Sequence, residues 1–366
     1  MVVTMSSKIK DVDLHHLRIE PINETVSSQQ EISSTPIVDL NNVKVLKTDD
    51  VYQHACNITA WQQLYDQLKP GKFTGQLDEC WFEGIQFFKE YTSSALRQSC
   101  MVWPKAVWLG IPPLSETIDG YIGSQIISKH TIAIREGGKE FELNTPDDYT
   151  IMGLVVDLDV LIKHISCVYK EYEDYVLPFL SYTTLEVNSL QKQYICQLIQ
   201  QALLAGMDNS NLTHHPSIIK TIRQDLLDNL AHLLFTSKQV DTKLSRTRVN
   251  YQKIVTKARD YALDHPQDII TVSDLCEYLS VSRRTLQNCF QAVWGISPYA
   301  YLKAIRLNAV RRELESRYSK HRTVQDAAMA WGFWHMSQFA IDYNNLFGEL
   351  PSQSLAARGH LQTYWL

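Results

Sequence analysis

The chain predicts an α+β, multidomain protein. A β-rich N-terminal unit with a helical segment precedes an all-α C-terminal domain, which is built of two helix-turn-helix subdomains joined by a long helix. Three observations predict this. Residues 271–355 state one pattern twice: Val272 and Asp274 recur as Val324 and Asp326, 52 residues on. Leu286, Phe290, Trp294, Gly295 and Pro298 recur as Phe339, Tyr343, Phe347, Gly348 and Pro351 at an offset of 53, so the second turn holds one extra residue. An internal repeat fixes the unit of architecture, and this unit is two short helices about a tight turn. Between Phe73 and Val156 the apolar period shortens towards two, with turn signals at Pro104, Pro112-Pro113, Asp119-Gly120, Gly137-Gly138 and Pro146. That spacing predicts short strands in a sandwich or barrel. Finally, 366 residues suffice for two or three domains.

Composition removes several classes. No apolar run approaches the ~18 residues of a membrane span, and the N-terminus lacks the basic and then apolar regions of a secretory signal. The 7 cysteines are scattered without a C-x-x-C pair, so neither a zinc site nor a disulfide framework is indicated. A reduced, cytoplasmic protein without membrane contact is the expectation. From Arg246 onwards the chain carries 15 Lys+Arg against 10 Asp+Glu, which leaves 20 against 30 for the remainder. A basic C-terminal part on an acidic N-terminal part suits an attached nucleic-acid reader.

In order, residues 1–49 read as a polar, Ser-rich arm. Residues 50–160 form the β-rich unit. Within it Val51 to Leu68 reads as helical through Ala60, Leu64 and Leu68, Gly137-Gly138 as a hairpin tip, and Tyr149 to Val156 as a central strand. Residues 161–236 are helical, with one stripe of Tyr194, Ile195, Leu198, Ile199 and Ala202. A second runs Ile218, Ile219, Ile222, Leu226, Leu230, Leu233 and Leu234. These stripes either pack on the sheets or form the seam of a homodimer. Residues 237–249 are polar and basic and read as a linker, and residues 250–366 form the C-terminal domain.

In the first repeat Leu286, Cys289, Phe290 and Val293 mark the buried face of a helix. Arg284, Gln287, Asn288 and Gln291 fall on the opposite face, with Arg283 at the helix start. Arg reads guanine, and Gln or Asn reads adenine, in the major groove of double-stranded DNA. Ser282 stands at the N-cap, where a helix end can meet a phosphate. In the second repeat the outward positions are Ser337, Ala340, Ile341 and Asn344, after His335 and Met336. The first helix should therefore supply most hydrogen-bonded readout, and the second apolar contact with thymine methyls. Pro298 should open a connecting helix that runs to about Glu315. Lys303, Arg306, Arg311 and Arg312 on it are candidate phosphate contacts or only a solvated face.

The second repeat, residues 327–355, resembles the AraC/XylS family of bacterial transcription regulators in the spacing of Gly332-Phe333, Phe339, Tyr343, Phe347, Gly348 and Pro351; that family usually has Phe where Tyr343 stands. Segments 58–73, 91–104, 143–151, 281–288 and 305–314 resemble a subgroup that controls ethanolamine-utilisation genes. The resemblance implies an activator responding to ethanolamine together with adenosylcobalamin, with RNA polymerase as a partner and a cupin-like barrel as sensor.

The residues themselves argue against an enzyme. Between Val51 and Val156 only His54 and His130 occur, far from the clustered ligands of a metal cupin. No D-x-H-x-x-G cobalamin motif exists; the nearest run, Asp13 to Arg18, ends in Arg. For a small cation, Trp81, Trp103, Trp108, Glu83, Asp147 and Asp148 are the available aromatic and acidic residues, although strand tryptophans also serve as core and Asp147-Asp148 as a turn. A small-molecule-binding or enzymatic barrel fused to a DNA-binding domain is the alternative reading.

Overall fold

The computed structural model describes residues 43–82, 84–169, 180–181, 183–207, 216–240 and 246–358. Most of the N-terminal arm, the Asp13 to Arg18 run and Glu83 lie outside them. The first described residues build two sheets. One has eight strands in the order β1 (Lys44–Thr48), β3 (Gly75–Phe82), β4 (Ile85–Thr92), β11 (Tyr149–Asp157), β6 (Ala106–Ile111), β9 (Thr131–Glu136), β12 (Thr184–Glu186) and β13 (Lys238–Gln239). The other has five: β2 (Trp61–Gln67), β5 (Leu96–Val102), β10 (Phe141–Thr145), β7 (Gly120–Ile122) and β8 (Gln125–Ile127). The expected cupin-like barrel is therefore not closed; the two sheets face each other as an open sandwich.

Strand alternation decides what each face meets. On β11, Ile151 and Val155 point between the sheets, while Met152, Leu154 and Val156 join the core on the far side. That far side is covered by α2 (Leu158–Val168), α3 (Ser189–Met207) and α4 (Pro216–Thr236). The eight-stranded sheet is thus apolar on both faces, as the continuous run of β11 requires. Ile195, Ile199, Ala202, Leu226, Leu230, Leu233 and Leu234 are all buried in this packing. Tyr194 and Ile218, at the margins of the two stripes, stay exposed, as do Leu190 and Leu204 on the outer side of α3. Lys192 of α3 is also buried, and its ammonium donates to the carbonyls of Ser128 and Thr131 at 2.9 and 2.8 Å. Burial pulls its pKa down to about 8.

Two expectations fail in this region. The helix predicted over Val51 to Leu68 stops early, at α1 (Val51–Ala55), and β2 follows. Ala60 sits at φ 61, a left-handed turn that no helix continues through. Beyond it Trp61 and Tyr65 point inward while Asp66 points outward, a period of two that the apolar set Ala60, Leu64 and Leu68 concealed. Gly137-Gly138 is not a hairpin tip, because β9 and β10 belong to different sheets. It is a corner between them: a Cβ on Gly137 would lie 2.0 Å from the Trp103 carbonyl oxygen, so only glycine lets the chain cross there.

The C-terminal residues form α5 (Arg246–Asp264), α6 (Val272–Leu279), α7 (Arg283–Trp294), α8 (Pro298–Glu315), α9 (Val324–Ala330), α10 (Met336–Phe347) and α11 (Pro351–Ala356). The repeat is realised in detail. The turn residues Ser280 and Gly332, 52 apart, are both left-handed at φ 54 and 79. Gly295 and Gly348, 53 apart, close α7 and α10 in the same conformation at φ 68 and 72. Proline opens α8 and α11 alike, and α8 spans the predicted 18 residues.

Candidate nucleic-acid interface and interior polar cluster

The first helix pair presents its polar face to solvent. Leu286, Cys289 and Phe290 are fully buried, and Val293 nearly so, beneath α7. Arg283, Arg284, Gln287, Asn288 and Gln291 are all exposed. The Ser282 hydroxyl accepts the Thr285 N–H at 3.1 Å, fixing the helix start. On α10, Phe339, Tyr343, Leu346 and Phe347 are buried. Ser337, Ile341 and Asn344 are exposed, His335 is exposed at the cap, and Ala340 and Met336 are half-buried. The departure at Tyr343 has a local reason: its hydroxyl lies 2.7 Å from that of Ser354 on α11.

The basic residues of α8 are differently placed. Lys303 pairs with Asp342 at 2.9 Å. Arg306 donates to the carbonyls of His265 and Asp268, both at 3.0 Å, and braces the loop before α6. Both thus have partners within the chain. Arg311 and Arg312 face the β-domain: Arg311 binds Asp50, Glu315 and Glu349, and Arg312 binds Asp66 at 2.7 Å. Asp66 also holds Arg97, which reaches Glu142, and Glu142 in turn takes Arg259 from α5. Burial alone would raise the Glu142 carboxyl, but the guanidinium groups of Arg97 and Arg259 hold it below the ordinary range.

Sequence reasoning missed much of the chemistry between the two sheets. Trp81, Trp103 and Trp108 do meet there, with the first two rings 4.9 Å apart and Trp108 stacked on Phe141 at 4.8 Å. Asp147 and Asp148 do not. Asp147 pairs with Lys69 and accepts the Ala95 N–H at 2.7 Å, and Asp148 accepts the Tyr91 hydroxyl at 2.9 Å, both in a turn at the sheet edge. The acids inside are Glu79 and Glu90. Glu79 accepts from Trp81 Nε1 at 3.0 Å and from the amide of Gln86, which itself accepts from Trp61 Nε1 at 2.9 Å. Glu90 accepts the Tyr65 hydroxyl at 2.9 Å and lies 3.0 Å from His54 Nε2. Burial, with Glu90 beside it, pushes the Tyr65 phenol well above its ordinary range. The indole nitrogens of Trp103 and Trp108 and the Tyr149 hydroxyl are buried without a hydrogen-bond partner. The signal lay in alternation: Glu79 shares the inward face of β3 with Leu77 and Trp81, and Gln86 and Glu90 share that of β4 with Phe88. Both carboxylates are buried and partnered: Glu79 also accepts from the Thr59 N–H at 3.0 Å and hydroxyl at 2.9 Å and lies 3.6 Å from Lys44 Nζ. Trp108 at the centre of this cluster is 1% exposed. Among the described residues no cluster of three or more His, Cys, Asp or Glu side chains could hold a metal ion.

Short helices packed about a common connecting helix, with the polar face of α7 free, define the class of a helical DNA-binding domain. Residues 275–357 match the family model described as "Helix-turn-helix domain". Over 144 residues the chain is 31% identical to the "Probable thc operon regulatory protein" of Rhodococcus erythropolis, covering 39% of this chain and 43% of that one. It is 33% identical over 95 residues to the "XylDLEGF operon transcriptional activator 3" of Pseudomonas putida, covering 26% and 29%. The chain thus spans less than half the length of these curated relatives. Among solved structures, a probable AraC family transcriptional regulator from Rhodopseudomonas palustris is 33% identical, covering 29% of this chain and 98% of that one, with a TM-score of 0.27. Over its C-terminal residues the chain is thus similar to transcription regulators of the AraC/XylS type.

Proposed function

We propose that the whole chain is a ligand-responsive transcription activator whose α7 and α10 read successive major grooves of double-stranded DNA, with RNA polymerase as its partner. The observation that carries this is the face of Arg284, Gln287, Asn288 and Gln291, exposed in full on a capped helix whose other side is core. Selection of DNA from a random library by the full chain tests it. A bipartite site with hydrogen-bond-sensitive bases under α7 is expected; recovery of unenriched DNA overturns the reading.

We further propose ethanolamine as effector, bound between the sheets at Glu79 and Glu90, and adenosylcobalamin as co-effector of ethanolamine-utilisation genes. The acidic, aromatic interior supports the first. The second rests on the likeness of segments 58–73 and 305–314 to that subgroup. Calorimetry with each compound tests both. Heat from ethanolamine that Glu79→Gln abolishes is expected, and its absence from the folded wild type refutes the effector assignment. An activator working as a homodimer is part of the same proposal, read by sedimentation with and without DNA.

A further inference from the structure

The outward face of the five-stranded sheet touches three parts of the DNA-binding domain at once. At the end of β2, Asn308 of α8 takes both main-chain groups of Gln67: its Oδ1 accepts the Gln67 N–H at 2.9 Å and its Nδ2 donates to the Gln67 carbonyl at 2.8 Å. The Gln67 side chain donates to the Leu346 carbonyl at 2.8 Å, and the Gly71 N–H donates to the same oxygen at 3.1 Å. Leu346 stands in the last turn of α10, where a helix leaves its carbonyls without internal partners. The loop after β2 therefore completes the second recognition helix, and Lys72 lies against its closing Gly348. At the far edge of the sheet, Arg248 of α5 stacks on Tyr121 at 3.8 Å and donates to the Ala292 carbonyl of α7 at 3.4 Å.

The opposite side of α8 is bridged by side chains, Lys303 to Asp342 of α10 and Arg306 to the carbonyls before α6. Leu302, Lys303 and Arg306 there line a groove of about 480 Å³ between the two helix pairs, with Ile270 on one bank and Phe333 on the other. The sheet holds α8 from its other side, through Asn308 on Gln67 and Arg312 on Asp66.

We infer that the β-domain is a splint that sets the separation of the two recognition helices, and thereby the half-site spacing the chain accepts on DNA. Asn308, Gln67 and Lys72 are positioning residues for sequence recognition. The inference rests on the reading of α7 and α10 as paired DNA readers. Each base pair added between half-sites turns the second by roughly 34° and moves it about 3.4 Å, so a rigid pair of readers is selective for spacing.

The test uses the full chain and the bipartite site it selects from a random library, remade with one or two base pairs inserted or deleted between the halves. The wild type should lose about tenfold or more in affinity per altered base pair. Asn308→Leu should bind the original spacing within about threefold and lose less than about threefold on the altered ones, because slack readers pay little for misplacement. Lys72→Glu disturbs the same junction from an exposed position without opening a core, and should show the same broadened profile. Folded variants with the wild-type profile overturn the splint. A wild type that selects only one half-site overturns the two-reader reading beneath it, an outcome distinct from an unchanged profile.

Discussion

The two helix pairs share a frame and differ in what completes them. α7 starts on Ser282, whose hydroxyl caps it, and ends on Gly295, with nothing within 4 Å of its Cβ position. α10 starts on His335, which makes no side-chain cap, and ends on Gly348 against Lys72, its Leu346 carbonyl taken by the β-domain. The first pair is finished by its own sequence; the second is finished by its neighbour. The same division separates their outer faces, one rich in hydrogen-bonding side chains and the other carrying Ala340 and Ile341. A helix pair capped by its own residues can stand alone, whereas one without that cap gains from being held.

The largest test is of the shared frame. Phe290 and Phe339 occupy equivalent, buried positions at 0% and 2% exposure. Either changed to Ala should lower stability by about 3–5 kcal/mol, read by chemical denaturation. A loss below about 1 kcal/mol at one of them would show that the two cores are not equivalent.

The next effect separates the pairs by pH. Glu315, at the end of α8, has its carboxyl pushed up to about 9, first by burial and then by Asp50 beside it, against the pull of Arg311. A raised carboxyl binds its proton in the folded chain at pH values where the unfolded chain has already released it. Stability from this group is therefore full below its ordinary value near 4.5 and is lost as pH rises towards 9. The slope can reach about 1.4 kcal/mol per pH unit for one proton. Amide exchange should accelerate in α10 more than in α7 between these limits, and Glu315→Gln should flatten the difference. Equal acceleration in both helices would break the comparison.

On DNA, Gln287→Ala should cost about 1–3 kcal/mol, concentrated at one base pair. Ile341→Ala should cost less, on the order of 1 kcal/mol for the methyl contact it loses. A base-by-base scan in which the α10 half-site proved the more sensitive would reverse the assignment.

The repeat made the helical domain legible because local rules fixed it: Ser282 as a cap, Pro298 at a helix start, and the repeated Gly295 and Gly348. The polar face of α7 followed from the same periodicity. The β-domain was less legible where partners are distant in sequence. Nothing local shows that Asn308 meets Gln67 across 241 residues, or that Arg312 meets Asp66 rather than solvent or DNA. Glu79 and Glu90 escaped notice because acids inside a sandwich run against the usual pattern, and only strand register reveals that they point inward. Asp147 and Asp148, chosen by residue type, proved to be turn residues.

The smallest expected effect sharpens the comparison most directly, because it asks whether the missing cap is a defect the rest of the molecule compensates. Ser282→Ala should destabilise α7 by about 1 kcal/mol, since the Thr285 N–H loses its acceptor. His335→Ser should supply α10 with the hydroxyl its equivalent position has, and stabilise it by a similar ~1 kcal/mol. If α10 is completed from outside, that gain should be larger in Lys72→Glu, where the β-domain's hold on the far end is weakened, than in the wild type. A double-mutant cycle measures this, and additive effects would mean that the two ends of α10 are secured independently. A coupling in the expected sense would place the stability of the second reader partly in the β-domain, and with it the means for events between the two sheets to reach the DNA-reading face.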